Sequence, residues 1–131
     1  MHKQYLVTAA WLAAFTVALG AFGAHGLKAI LTPASLATFE TGVRYQFYHV
    51  FALAITGMLW KEYPVKLLMM AGRFFILGIL FFSGSLYLLT FLTVQGISDF
   101  LWVGAITPLG GLIFILGWFL LGLSILRLGK Q

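Results

Sequence analysis

Residues 100–126 read FLWVGAITPLGGLIFILGWFLLGLSIL, with no Asp, Glu, Lys or Arg among them. A helix needs about 20 apolar residues to cross the hydrocarbon core of a bilayer, so this run has length to spare. It shows no two-residue alternation, which excludes a barrel strand. Only helices and closed barrels satisfy their backbone hydrogen bonds in lipid. Outward from it lie three further runs, Tyr5 to Ala24, Tyr45 to Trp60 and Phe74 to Leu92. The last extends back through Leu67, Leu68, Met69 and Met70, and the second is short unless its helix begins earlier. The fold expected is all-α: an integral membrane four-helix bundle forming one transmembrane domain over residues 1–131. Its helices are expected at about 4–25, 34–61, 65–93 and 99–127.

The composition agrees. The chain is 62% hydrophobic and 8% charged, with a mean hydropathy of +1.04. A small chain buries the smallest fraction of its surface, so this much apolar area must be hidden by lipid. The net charge of +5 does not point to nucleic acid, because the cations sit at the ends of apolar runs and form no stripe. Membrane lipids are the expected partners. There is no cysteine, which removes disulfide and thiolate chemistry. A cleaved signal peptide at the first run is disfavoured by the length of that run.

Lys3, Lys61, Lys66, Arg73, Arg127 and Lys130 fall on one side of a four-span arrangement, against Lys28 and Arg44 on the other. The short loop around Ser98 and Asp99 adds no cation. This bias predicts both termini in the cytoplasm. Short connections predict an up-down-up-down order, with a stop at Lys61-Glu62-Tyr63-Pro64. Tyr5, Trp60, Tyr63 and Trp102 suit the interface, whereas Trp11 and Trp118 lie inside their runs. Ala10, Ala14, Ala18, Ala21, Gly72, Gly78, Gly104, Gly111 and Gly117 mark expected sites of close helix approach.

The polar chemistry gathers between Gly20 and His49. Thr32-Pro33-Ala34-Ser35 has an N-cap residue followed by proline in the first helical position. The second helix is therefore expected to begin outside the bilayer core, running on or bending at Gly42. Glu40 and Arg44 are four apart and can pair, either as an interfacial ion pair or at the mouth of a cavity. His49 stacks one turn beyond Tyr45, about half a rotation from Glu40, so these two cannot serve one small site on a straight helix. His49 is either hydrogen-bonded within the bundle or a group that changes charge near neutral pH. His25, between Ala24 and Gly26, either complements the negative helix end or binds a ligand. His25, Glu40 and Arg44 fall on one outer side.

Deeper, Ser83, Ser85 and Tyr87 place hydroxyls on the third helix, and Thr107-Pro108-Leu109-Gly110-Gly111 interrupts the fourth. These residues are either a packed kink with interhelical hydrogen bonds or a polar cavity at mid-depth. No nucleophile–base pair, zinc spacing or phosphate loop is present, so no enzyme, metal or cofactor is expected. Two functions follow. In the first, an outer-side pocket of His25, Glu40, Arg44, Tyr45 and His49, with Ser83, Ser85, Tyr87 and Thr107 below, binds or passes a lipid, ion or small solute. In the second, an accessory protein packs its small-residue faces against itself or another membrane protein.

The segments Gly20-Ala21-Phe22-Gly23-Ala24-His25-Gly26-Leu27, Gly42-Val43-Arg44-Tyr45-Gln46-Phe47-Tyr48-His49, Phe82-Ser83-Gly84-Ser85-Leu86-Tyr87 and Thr107-Pro108-Leu109-Gly110-Gly111 resemble the domain-of-unknown-function family 423. That family contains the YgdD-like small inner-membrane proteins of bacteria and related mitochondrial proteins. The resemblance covers nearly the whole chain. It implies about four helices and makes the matched positions candidates, with no activity, substrate or cofactor to transfer.

Overall fold

Thr32 begins the second helix as its sequence requires: its hydroxyl accepts from the Ser35 backbone N–H, and Pro33 follows where no amide partner is needed. In the computed structural model, which describes residues 2–97 and 99–128, that helix is α2, Pro33–Leu59, unbroken at Gly42. Before it come α1, Lys3–His25, and a 3-10 turn, Leu27–Ala29. After it come α3, Lys66–Gly78, a π-helical turn, Ile79–Ser83, and α4, Gly84–Val94. The last helix is α5, Leu101–Leu128. Since α3, the π-turn and α4 follow one another without a break, the described residues make four helical rods. Ser98 and Lys130, which entered the loop and charge readings, lie outside the described residues.

Three rods are long and apolar enough to cross a membrane: Lys3–Ala29, Lys66–Val94 and Trp102–Arg127. α2 has the length but not the composition. Glu40 and Arg44 on its outer face are exposed, and Gln46 and His49 on its inner face are buried, and together these four lower its hydropathy.

α2 and the α3–α4 rod lie at the centre of the bundle. α2 packs on α1 along its length, with Phe39 against Gly23, Val43 against Gly20, and Leu6 against Gly57. The α3–α4 rod touches α2, where Ser83 donates to the Gly42 carbonyl at 2.7 Å, and α5, where Phe75 packs on Gly117. Tyr5, 6% exposed, crosses from α1 to α3 by donating to the Met69 carbonyl at 2.6 Å. The core joins Ala9, Val50, Leu53, Leu68, Phe75 and Phe114.

The close approaches fall partly where small residues suggested them. Gly72 accommodates Tyr5, Gly78 accommodates Phe114, and a Cβ on Gly117 would lie 2.9 Å from Phe75. Gly104 has nothing within 4 Å, and Ala10, Ala14, Ala18 and Ala21 are exposed. α1 is apolar on every side, so its sequence does not mark which stripe faces inward. The tightest backbone contact instead involves Gly110, whose missing side chain lets α5 meet the backbone of Phe82 in the π-turn. The π-turn itself has no mark in the sequence beyond Gly78 and Gly84 at its flanks.

Candidate functional site

Across the middle of the bundle runs a layer of side chains that bond one another. Thr16 of α1 donates back to the Leu12 carbonyl and accepts from Gln46 Nε2 at 2.8 Å. The other end of the Gln46 amide, Oε1, accepts from the Tyr87 hydroxyl at 2.8 Å. Three rods are thus joined through one amide that is only 2% exposed. Ser85 donates to the Phe82 carbonyl within its own rod and shares a 2.6 Å bond with Thr107 of α5. Among the described residues, no buried side-chain nitrogen or oxygen lacks a partner. Leaving such a group unpaired costs roughly 1–3 kcal/mol, so the layer closes on itself.

His49 ends this layer at α5. Its Nδ1 lies 2.6 Å from the Tyr45 carbonyl and its Nε2 lies 3.1 Å from the indole nitrogen of Trp118. An indole N–H only donates and a carbonyl only accepts, so together they assign the imidazole. Nδ1 carries the hydrogen, Nε2 is the acceptor, and the ring is neutral. Phe114 stacks on it with centroids 3.3 Å apart.

Outside this pair is a groove of about 590 Å³, lined by Tyr45, Tyr48, His49, Phe82, Phe114 and Trp118 together with Gly111 and Ile115. Tyr45 stacks on Phe82 at 4.6 Å. Tyr48, Ile115 and Trp118 are exposed, so the groove opens on the side of the bundle and not at its end. Its residues lie near the centres of their rods. The hydroxyls of Tyr45 and Tyr48 take no part in the hydrogen bonds among the described residues. A second, smaller groove of about 290 Å³ lies beside Phe39, Tyr87 and Gln95, under the 3-10 turn.

The candidate residues therefore separate. Tyr45 and His49 meet at the lateral groove, while Ser83, Ser85, Tyr87 and Thr107 belong to the interhelical bonds. Of these four hydroxyl residues, Tyr87 alone lines either groove, the smaller one. His25, Glu40 and Arg44 are exposed and line neither groove, so they do not join His49 in one pocket. The rotation of a continuous α2 accounts for this: residues 40 and 44 face out where 46 and 49 face in. Thr16 and Trp118 carry no signal in the sequence, and Gln46 stands out there only as part of the family-like segment, because each becomes informative through a contact made far along the chain. Among the described residues no three His, Asp or Glu side chains come together to hold a metal ion.

Comparison with known proteins places these features in a family. Residues 19–111 match the model described as "Protein of unknown function (DUF423)". The chain is 40% identical over 119 residues to a UPF0382 membrane protein of Haemophilus influenzae, covering 90% of each. It is 39% identical over 120 residues to one of Bacillus subtilis, covering 91% of this chain and 93% of the relative. It is 38% identical over 122 residues to one of Staphylococcus haemolyticus, covering 93% and 94%. No solved structure matches. With three rods long and apolar enough to cross a membrane, and relatives that are membrane proteins of matching length, the chain is an integral protein of the bacterial inner membrane and belongs to the UPF0382 family of membrane proteins.

Proposed function

We propose that this protein is a binding module for an apolar molecule dissolved in the bilayer, held in the lateral groove between α2, the π-turn and α5. The observation that carries this reading is the position of the groove: mid-rod, walled by aromatic rings, and open on the side of the bundle, the side that a spanning bundle would turn to lipid. Ligand sites are typically concave and apolar with a few placed polar groups. Passage of an ion is the weaker reading, because the buried polar groups are bonded to one another and offer no relay of free ligands. The reading is of binding and not of catalysis.

The membrane arrangement that goes with it is an up-down-up-down bundle in which α2 spans with the other three rods. The pairing of Gly23 with Phe39 and of Gly57 with Leu6 supports opposite directions for α1 and α2. The cation bias supports termini in the cytoplasm. Reporter domains fused at the C-terminus and in the loop near Lys28 should report opposite sides.

A photoactivatable fatty acid tests the groove. Saturable labelling within residues 111–118, competed by unlabelled fatty acid, is expected. Gly111→Leu should lower it, since a Cβ there meets Phe82 only at 3.7 Å and leaves room to fill the groove. Labelling that never saturates and ignores Gly111→Leu would reject the reading.

The accessory role keeps one specific support. Ala10, Ala14 and Ala18 recur every four residues on α1 and are exposed, the spacing by which membrane helices approach closely. Replacing all three with Leu should abolish any self-association seen by crosslinking in native membranes.

A further inference from the structure

We propose that the groove selects a ligand bearing a hydroxyl group, which inserts between Trp118 Nε1 and His49 Nε2. This rests on the reading of the groove as a binding site and adds the chemistry that the site recognises. The two nitrogens lie 3.1 Å apart at the groove wall, one a donor only and the other, in the tautomer imposed by the Tyr45 carbonyl, an acceptor only. A ligand that separates them must replace both halves of the bond. A hydroxyl does so alone, donating to His49 Nε2 and accepting from the Trp118 N–H. A ketone or an ether satisfies Trp118 and leaves His49 Nε2 buried without a donor. His49 is 5% exposed, so water cannot easily make up that loss. The rings of Tyr45, Tyr48, Phe82 and Phe114 around the same groove suit an apolar body.

An apolar alcohol of this kind has two sources, a prenyl alcohol and an alkylphenol, and both carry the hydroxyl that the pair reads. The protein in nanodiscs with ¹⁵N-labelled tryptophan separates them, the Trp118 indole signal being assigned by its loss in Trp118→Phe. Each alcohol and its methyl ether is titrated in turn.

A saturable shift of the Trp118 signal is expected with at least one alcohol, at an affinity about tenfold above that of its ether, the worth of roughly one net hydrogen bond. Preference for the phenol identifies a ring as the body of the ligand, and preference for the prenyl alcohol a chain. His49→Phe should bring the alcohol-to-ether ratio close to one while ether binding persists. The wild-type comparison stands even if that variant misfolds. Equal binding of alcohol and ether overturns hydroxyl recognition but leaves the groove reading intact, whereas no saturable binding of any of the four compounds overturns both.

Discussion

His49 accepts a hydrogen bond from Trp118 at 3.1 Å, and this bond helps tie the polar face of α2 to the apolar length of α5. The same imidazole is fixed on its other side by the Tyr45 carbonyl and on its face by Phe114. Held at three points, it serves as a structural wall of the groove as well as a candidate contact. A histidine placed this way costs little, because it is neutral and both its nitrogens are used.

Trp118→Phe leaves His49 Nε2 without a donor while preserving an aromatic ring in the wall. The expected loss is about 1 kcal/mol, toward the low end because partners in the membrane-unfolded state soften such effects. Pairing it with His49→Phe should cost less than the two single losses added together, because both variants remove one bond. Reversible unfolding in mixed micelles measures the cycle, and strict additivity would show that the pair is not coupled.

The chain of Thr16, Gln46 and Tyr87 makes a second prediction. Gln46→Leu removes both interhelical bonds and orphans the Tyr87 hydroxyl, whereas Tyr87→Phe removes a donor and leaves only Oε1 unpaired. Gln46→Leu is expected to destabilise the bundle by about 1–3 kcal/mol, and Tyr87→Phe by less. Thr16→Val should fall between no effect and the Tyr87 value, because Gln46 Nε2 alone loses its acceptor. Unfolding in the same micelles ranks the three, and a Tyr87→Phe loss as large as that of Gln46→Leu would contradict this order.

How much of this was readable in advance depended on the range of the interaction. The start of α2 was legible because Thr32, Pro33 and Ser35 are neighbours, and capping is local chemistry. The outward face of Glu40 and Arg44 followed only once α2 proved continuous through Gly42. The partners of Gln46 and His49 stand 30 and 69 positions away, and no periodicity in an all-apolar helix selects them. For the same reason the alanine stripe of α1 marks a site of close helix approach without saying which partner it meets, and within the bundle it lies on the outside. In lipid an outward face is as apolar as an inward one, so the hydrophobic pattern that orients a helix in water carries no such information here.

Exposed charge sets a third prediction, chosen because it separates the surface residues from the groove. Glu40→Ala and Arg44→Ala should each change stability by no more than about 0.5 kcal/mol, as for surface positions without buried partners. Neither should alter saturable labelling of the groove, since neither lines it. A loss of labelling in Arg44→Ala with stability unchanged would bring the cation back as a contact for a polar head group and would place the ligand higher than the groove alone does.

The last prediction concerns the contact that positions α5 against the π-turn. At Gly110 an added Cβ would run into the backbone of Phe82, which cannot swing aside as a side chain can. At Gly104 the same addition meets nothing within 4 Å. Gly110→Ala should therefore destabilise by roughly 1–3 kcal/mol through overpacking, while Gly104→Ala is neutral or slightly stabilising because alanine suits a helix better than glycine. Because Gly111 and Phe82 both border the groove, pushing α5 outward at Gly110 also changes its shape. Gly110→Ala is expected to lower saturable labelling more than Gly104→Ala does at equal amounts of folded protein. Equal thermal stability and equal labelling for the two variants would show that the approach of α5 to the π-turn does not set the geometry of the groove.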